Sequence, residues 1–233
     1  MQFRRNIHLT LSLKLTTLKI NDMKYLFRSF FLIHILLNSC KTDTNQSPVF
    51  AGEYDSNFYF QEYSPPLQVE LVLDSTTNYY SGKDSIDFNS DGEYDILIIQ
   101  HLQIPHLNNE PTQDLFPYYR LKAMNGTEIA TSEVGYSVGH GYYNYISFVD
   151  SINPKTRIDN LQEWSISNES RNMWFVPSPG SFIHNFGFWY EVANPEMYVG
   201  IRMKIGSDYK YGWINIDATS KENMRFISYA IEK

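Results

Sequence analysis

The sequence has almost no cysteine, since Cys40 is the only one in 233 residues. A single cysteine excludes an intrachain disulfide and a cysteine metal cluster. Long apolar runs are also missing: residues 30–37 form a stretch of about eight residues, too short to span a bilayer as a helix. The sequence is expected to contain no Gly-x-Ser-x-Gly nucleophile elbow and no phosphate-binding glycine loop, and residues 135–141 lack the strand-to-helix context that either requires.

Positive charge is scarce in most of the chain. Residues 1–40 hold six of the 19 basic residues and one of the 26 acidic residues, which leaves the rest with 13 basic and 25 acidic residues and a net charge of −12. Nucleic-acid binding depends on a basic surface, so this balance argues against a nucleic-acid partner. An acidic body is compatible with cation binding and with a solvated external surface.

The N-terminal region has the layout of an export signal. A basic segment that begins at Met23 precedes the apolar residues 30–37, and Ser39 and Cys40 follow. Residues 1–39 are therefore predicted to be a signal segment with its true start at Met23. The polar residues after Cys40 lack an apolar period, which is typical of a flexible tether over residues 40–50.

Leu37-Asn38-Ser39-Cys40 resembles a bacterial lipobox, in which the cysteine is lipidated and becomes the first residue of the mature protein. The resemblance implies an outer-membrane lipoprotein of the bacterial cell envelope, held by a lipid anchor on Cys40. Lys41 and Asp43 also resemble the export signal of surface lipoproteins in Bacteroidetes-type Gram-negative bacteria, which favours surface exposure.

Residues 87–95 form the most distinctive stretch of the chain. Oxygen-bearing side chains occupy positions 1, 3, 5 and 9 of this loop: Asp87, Asn89, Asp91 and Asp95. Gly92, at position 6, allows the sharp turn through which they converge. Calcium takes six to eight oxygen ligands in flexible geometry, so a structural calcium ion is predicted here. The alternative is a solvated turn, since Asp, Asn and Gly favour turns for local reasons.

The loop is not an EF-hand, because Ile98 stands at the twelfth position, where that motif needs a bidentate glutamate. It resembles the calcium loops of integrin-like and FG-GAP repeats, which lie in β-hairpins. That resemblance implies side-chain ligation by the four residues at positions 1, 3, 5 and 9 and ligation by the backbone carbonyl of Glu93.

Short segments of alternating, aromatic or β-branched residues dominate residues 51–233 and predict a single all-β domain, a β-sandwich or jelly roll. Ile96 to Leu102 is predicted as a central strand, and Asn125-Gly126 as the turn of a hairpin. The alternation from Met197 to Ile205 predicts a strand with one buried and one wet face. The prolines Pro65 and Pro66 are expected to separate two strands, and residues 153–172 to form a surface loop.

The C-terminal third resembles that of a group of uncharacterised secreted β-sandwich proteins, which combine an upstream Asp-x-Asn-x-Asp-Gly-x-x-Asp loop with a Tyr-Gly-Trp strand and a terminal Tyr-Ala-x-Glu strand. The matching residues here are 211–213 and 229–232. The resemblance implies fold and compartment and brings no known activity. Trp213 is predicted to be a core residue, with Gly212 permitting close strand packing.

Histidine spacing gives no support for a zinc site, since no two histidines after Cys40 are spaced for a shared helix turn or strand face. Aromatic side chains are the candidate ligand contacts, because their rings stack on the apolar faces of sugars. These residues are Tyr142, Tyr143, Trp174 and Trp189. The predicted function is a binding or accessory protein of the envelope, with a glycan or an envelope protein as partner; the alternative is a polysaccharide hydrolase on a jelly-roll scaffold.

Overall fold

The computed structural model of the chain describes residues 47–76, 79–103, 116–139, 142–173, 188–189, 196–220 and 224–233. The described residues contain β-strands and no helix. The strands are β1 (Val49–Phe50), β2 (Phe58–Leu67), β3 (Val72–Asp74), β4 (Tyr79–Ile86), β5 (Ile96–Gln103), β6 (Phe116–Ala123), β7 (Thr127–Gly139), β8 (Tyr142–Val149), β9 (Arg157–Ile158), β10 (Glu163–Trp164), β11 (Ser170–Asn172), β12 (Met197–Ile205), β13 (Asp208–Asp217) and β14 (Arg225–Glu232). The predicted all-β, sandwich-type fold is confirmed.

One long, curled sheet organises the domain. Its strands follow the order β2-β14-β13-β12-β7-β8-β11-β6-β5-β4-β3, with β10 attached to β7, while β1 and β9 pair separately. Ile214 and Ile216 of β13 pack in the same hydrophobic cluster as Ile96 and Ile98 of β5. Because β13 and β5 are far apart along the sheet, this shared cluster means that the sheet folds over and encloses the main core.

A second core lies on the other face of β12, β13 and β14. Trp213 and Tyr211 of β13 and Tyr198 of β12 pack there against Val49 of β1 and Ile158 of β9. The prediction of a wet outer face for β12 is therefore wrong at Tyr198, which is 3% exposed. The small β1–β9 sheet covers this face, and the sequence of β12 alone does not reveal such a covering layer.

The Asn125-Gly126 turn is present, but the hairpin predicted around it is wrong. Both residues have positive φ angles, 49° and 80°, and Thr127 N donates to Met124 O at 2.8 Å. The two strands then diverge, since β6 pairs with β5 and β11 whereas β7 pairs with β8, β10 and β12. The turn therefore carries the chain from one layer of the sandwich to the other.

Two further expectations are corrected. The strand β2 continues through Pro65 and Pro66 to Leu67, because β2 is an edge strand that pairs only with β14 among the described strands, and prolines are tolerated at edges. Residues 153–172 are more than a surface loop, since they contain β9, β10 and β11 and bury Ile158 and Ser165. By contrast, the predicted strands at β5 and β12 are confirmed, and strands β13 and β14 contain the two C-terminal motifs, residues 211–213 and 229–232.

Candidate functional site

The 87–95 loop connects β4 to β5 and is anchored to the core at both ends. Phe88 is buried and its ring lies edge-on to Tyr229, with centroids 5.0 Å apart. The Tyr229 hydroxyl donates to the backbone oxygen of Asp87 at 3.0 Å. At the other end, the backbone N–H of Asp95 donates to Ile86 O, and the N–H of Met124 donates to Asp95 O, both at 2.8 Å.

The side chains of the loop are folded inward onto its own backbone. Asp87 accepts hydrogen bonds from Ser90 N at 2.7 Å and from Gly92 N at 2.9 Å. Asp91 accepts from Glu93 N at 2.8 Å and from the side-chain amide of Asn89 at 2.9 Å, and Asn89 Oδ1 accepts from Asp91 N at 3.0 Å. Gly92 has a φ of 90°, which L side chains rarely adopt, so the predicted need for glycine in this turn is confirmed.

Asp95 is the buried acid of the loop, with 2% of its surface exposed. Its Oδ2 accepts the backbone N–H of Phe88 at 2.8 Å. Burial raises the pKa of Asp95 to about 6; the Phe88 hydrogen bond opposes this shift, while the charges of Asp87 and Asp91 add to it. Three acidic side chains therefore interact electrostatically, and one of them pays a desolvation penalty when it ionises.

Thr127 is a neighbour of Asp95 that sequence inspection did not identify. It is fully buried, and its hydroxyl lies near enough to the carboxylate to lower the pKa of Asp95, although no hydrogen bond of standard geometry fixes it. Asn125 is a second such residue, because its side-chain amide donates to Tyr94 O at 2.9 Å. Asn125 belongs to the Asn-Gly turn and Thr127 follows it, and no local pattern indicates that this turn packs against a loop about 30 residues earlier.

The loop does not hold a preassembled metal cage. Within the ranges that the structure describes, no three side chains of Asp, Glu, His or Cys are grouped closely enough to hold a metal ion. Asp87, Asp91 and Asp95 are brought near one another, while the Glu93 side chain is exposed and its backbone N–H is bound to Asp91. Ligation of calcium would require the carboxylates to exchange some of these backbone hydrogen bonds for metal contacts.

The aromatic candidates divide between the core and regions outside the described residues. Trp189 is 1% exposed and its indole N–H donates to Val149 O at 3.2 Å, so its prediction as a ligand contact is wrong: no ring face is accessible for stacking. Trp174 lies outside the described residues, as do the side chains of Tyr142 and Tyr143, whose backbone forms the start of β8. Cys40 and the signal segment also lie outside the described residues.

Exposed aromatic surface occurs at a place that the sequence analysis did not single out. Tyr54, 51% exposed, stacks on Phe60, 38% exposed, with ring centroids 3.8 Å apart and planes 6° apart. Both rings approach Trp213 of the second core, at 6.2 and 6.3 Å. The pair extends the second core towards solvent along the edge strand β2.

Residues 135–139 read Gly-Tyr-Ser-Val-Gly and match the Gly-x-Ser-x-Gly spacing of a hydrolase nucleophile elbow, so the expectation that the sequence contains no such motif is wrong for the spacing alone. Ser137 lies inside β7 and pairs with Tyr143 of β8 in an antiparallel ladder. A nucleophile elbow needs a sharp turn from a strand into a helix, and here the next described element is another strand. The backbone of β7 therefore does not form an elbow.

The part of the chain that the structure describes contains no helix that is long and apolar enough to cross a membrane.

Comparison with known proteins gives no match to a family model, to a curated protein or to a solved structure. The resemblance to secreted β-sandwich proteins therefore stays a prediction from the motifs.

Proposed function

We propose that the chain is a lipid-anchored binding protein of the bacterial cell envelope, stabilised by a structural calcium ion and directed at a glycan. The lipobox-like sequence at Cys40 supports the anchor and the compartment, and the acidic body supports a solvated external domain. The all-β architecture provides a rigid scaffold on which a binding surface can be displayed.

The observation that carries the calcium proposal is the buried carboxylate of Asp95 beside Asp87 and Asp91. Without a cation, ionised Asp95 bears a desolvation penalty and repulsion from two like charges. A calcium ion ligated by the loop oxygens offsets both costs, because the attraction of a divalent cation outweighs the mutual repulsion of its ligands.

The position of the loop explains why a cation here acts structurally. Phe88 is a core residue, and the hydrogen bonds of Asp87 and Asp95 reach Tyr229 of β14 and Met124 next to β6. Calcium that fixes the loop therefore stabilises contacts among three separate parts of the sandwich. This role needs no open ligand position for a substrate.

A calcium titration tests the proposal. The full chain, purified in a nonionic detergent, is melted in excess chelator and then at increasing calcium concentration. Binding to the folded state raises the melting temperature with concentration, by an amount equivalent to about 2.7 kcal/mol at a hundred times the dissociation constant. Asp91→Ala is expected to abolish this rise.

Asp55→Ala is the matched control. Asp55 accepts the backbone N–H of Asn57 at 2.8 Å, the same local bond that Asp91 makes with Glu93 N, but it lies outside the loop. The control is expected to lose a similar local hydrogen bond and to keep the calcium response. An unchanged melting temperature across the titration would contradict the calcium proposal.

A further inference from the structure

The outward surface of β4, β5 and β6 carries three cationic side chains, Lys83, Arg120 and Lys122, on a domain whose net charge is negative. Ile96 and Ile98 of β5 are fully buried in the main core, so the alternate residues of this strand lie on the opposite face. The register fixes three rows of neighbours across this face: Ser81-His101-Tyr118, Lys83-Ile99-Arg120-Asn172 and Ser85-Leu97-Lys122-Ser170. We call these three rows the basic face.

The basic face contains no acidic residue in any of its rows, although the chain beyond residue 40 has a net charge of −12. Its cations also form no ion pair with an acidic side chain of the described residues. Four of the described arginines each form an ion pair, namely Arg157, Arg171, Arg202 and Arg225, whereas Arg120 forms none with the described residues. Lys83 and Lys122 likewise have no ion-pair partner within the described ranges.

Arg120 is held in position by neutral contacts. Its Nε donates to Asn172 Oδ1 at 2.8 Å, and its guanidinium carbon lies 4.8 Å from the centre of the Tyr118 ring. The other neighbour of that ring is His101, which stacks on it at 4.9 Å with planes 14° apart. A guanidinium fixed by an amide and a ring keeps its full charge and can accept a planar anionic group in bidentate fashion.

The charges of the face act on one another. Burial lowers the pKa of His101, and the nearby cations Arg120 and Lys83 lower it further. The imidazole is therefore neutral at neutral pH, and the positive charge of the face comes from its lysines and its arginine. Repulsion among these like charges destabilises the folded state, and a bound anionic ligand would reduce that repulsion.

We propose that the basic face binds an anionic polysaccharide, whose sugar rings carry carboxylate or sulfate groups. This inference rests on the proposed glycan-binding function and assigns the class of glycan. Lys83 and Arg120 both pair in register with Ile99, so their backbones lie about 10 Å apart, two strand spacings. A half-buried apolar side chain between two cations matches a sugar chain, which offers C–H ring faces between its charged groups.

Other polyanions fit this face less well. Nucleic-acid binding through charge involves about 6–10 phosphate contacts, whereas the basic face offers three full charges on a domain whose overall charge repels phosphates at long range. A short-range ligand that also contacts Ile99 and Leu97 gains apolar burial in addition to charge pairing.

The test measures binding of the full chain in nonionic detergent to three polysaccharides and one unrelated polyanion. Polygalacturonate and dextran sulfate are the anionic probes, dextran is the neutral probe and single-stranded DNA is the polyanion. We expect the two anionic polysaccharides to bind at least about tenfold more tightly than dextran or DNA, and their affinity to fall with rising salt.

Charge-removing variants locate the site. The triple variant Lys83→Gln/Arg120→Gln/Lys122→Gln is expected to weaken the binding of anionic polysaccharides about tenfold or more. The double variant Lys83→Gln/Lys122→Gln keeps Arg120 and its contacts with Asn172 and Tyr118, and it is expected to weaken binding by less. The matched control is Lys155→Gln/Lys204→Gln/Lys210→Gln, which removes the same charge from other strands and turns and is expected to stay within about twofold of the parent. Thermal melts identify any variant that has lost its fold.

The outcomes separate the two proposals. Equal binding of dextran and the anionic polysaccharides would overturn the basic-face inference and leave glycan binding standing. Failure to bind any polysaccharide would overturn both. Equal weakening by the basic-face triple variant and its control, or DNA binding as tight as that of dextran sulfate, would refute the assignment of this face to an anionic polysaccharide.

Discussion

Asp95→Asn removes the charge of the buried carboxylate in the 87–95 loop and keeps its shape. The asparagine oxygen can still accept the N–H of Phe88, and the new amide group faces the Thr127 hydroxyl, which lacks a fixed partner among the described residues. The variant thus isolates the effect of charge. In the absence of calcium we expect it to be more stable than the parent at neutral pH.

The magnitude follows from the pKa of Asp95, which burial raises from 3.8 to about 6. A group whose pKa is higher in the folded state binds its proton more tightly there, so its contribution to stability is complete below pH 4 and is lost as pH rises through about 6. Two pKa units correspond to roughly 3 kcal/mol at neutral pH. The asparagine variant cannot ionise and avoids this loss.

The assay is a pair of thermal melts in chelator, at pH 7.5 and at pH 4. At pH 7.5 the variant is expected to melt roughly 5–10 °C above the parent, since about 1 kcal/mol shifts the melting temperature of a domain of this size by about 2–4 °C. At pH 4 the difference should nearly vanish, because Asp95 is then protonated in the folded parent. In saturating calcium the order should reverse, because the variant has lost a ligand.

A lower melting temperature for the variant in chelator at pH 7.5 would refute this reasoning. It would mean that the hydrogen bonds to ionised Asp95 outweigh its burial and its repulsion from the neighbouring acids. Retention of the calcium response by the variant would separately remove Asp95 from the ligand set.

Two further predictions concern the sheet. Gly212→Ala should prevent folding or strongly destabilise the chain, because a Cβ there would lie 2.2 Å from a backbone oxygen of β14. Gly135→Ala is the control, since the Cβ there meets the ring of an exposed tyrosine. In a proteolysis assay the resistance of the control to cleavage should be much closer to that of the parent than the resistance of Gly212→Ala. Asp217→Asn should cost about 1–2 kcal/mol in urea unfolding at pH 7. Burial alone would raise the pKa of Asp217, but hydrogen bonds from Thr219 and the Arg225 guanidinium hold it below its usual value. The cost should therefore begin to shrink as the pH falls below about 4 and vanish as the pH falls through the lowered pKa of Asp217. A cost that does not shrink below pH 4 would contradict the charge argument.

Local patterns predicted the strands well where both local propensity and burial favour the same structure. The alternating sequence of β12 predicts its boundaries, Met197–Ile205. The prediction that Gly212 allows close packing is supported because a Cβ added at this position would lie very near the neighbouring strand. The covering of the second face of β12 was not predictable in this way. This covering depends on Val49 and Ile158, which are distant from β12 in the sequence, and no sequence pattern indicates that they pack against this strand.

The Asn-Gly turn shows the same limit at the level of topology. The turn itself follows from the two residues, whose φ angles are both positive, and its position was predicted correctly. Whether the flanking strands pair depends on which neighbours compete for their edges. Here β5 and β12 take those edges, and the turn becomes a crossover between layers.

Aromatic residues were the least predictable part of the candidate site. In the sequence, Trp189 and Tyr54 are equally plausible as aromatic side chains that stack on a ligand, yet Trp189 is 1% exposed and Tyr54 is 51% exposed. The composition of a strand does not distinguish a ring that fills a core from one that faces solvent, because both sites favour the same residue types. The acidic loop was easier to find, since its spacing is confined to nine consecutive residues.

The acidic loop and the basic face belong to the same pair of strands, and this links the two proposals. The loop closes the β4–β5 pair at Ile86 and Ile96, and Lys83 pairs with Ile99 three residues further along the ladder. A slip of one residue would turn every side chain of a strand to the other face. Under the calcium proposal, an ion that fixes the loop would also hold the register that keeps Ile98 inside and places Ile99 between Lys83 and Arg120 on the surface.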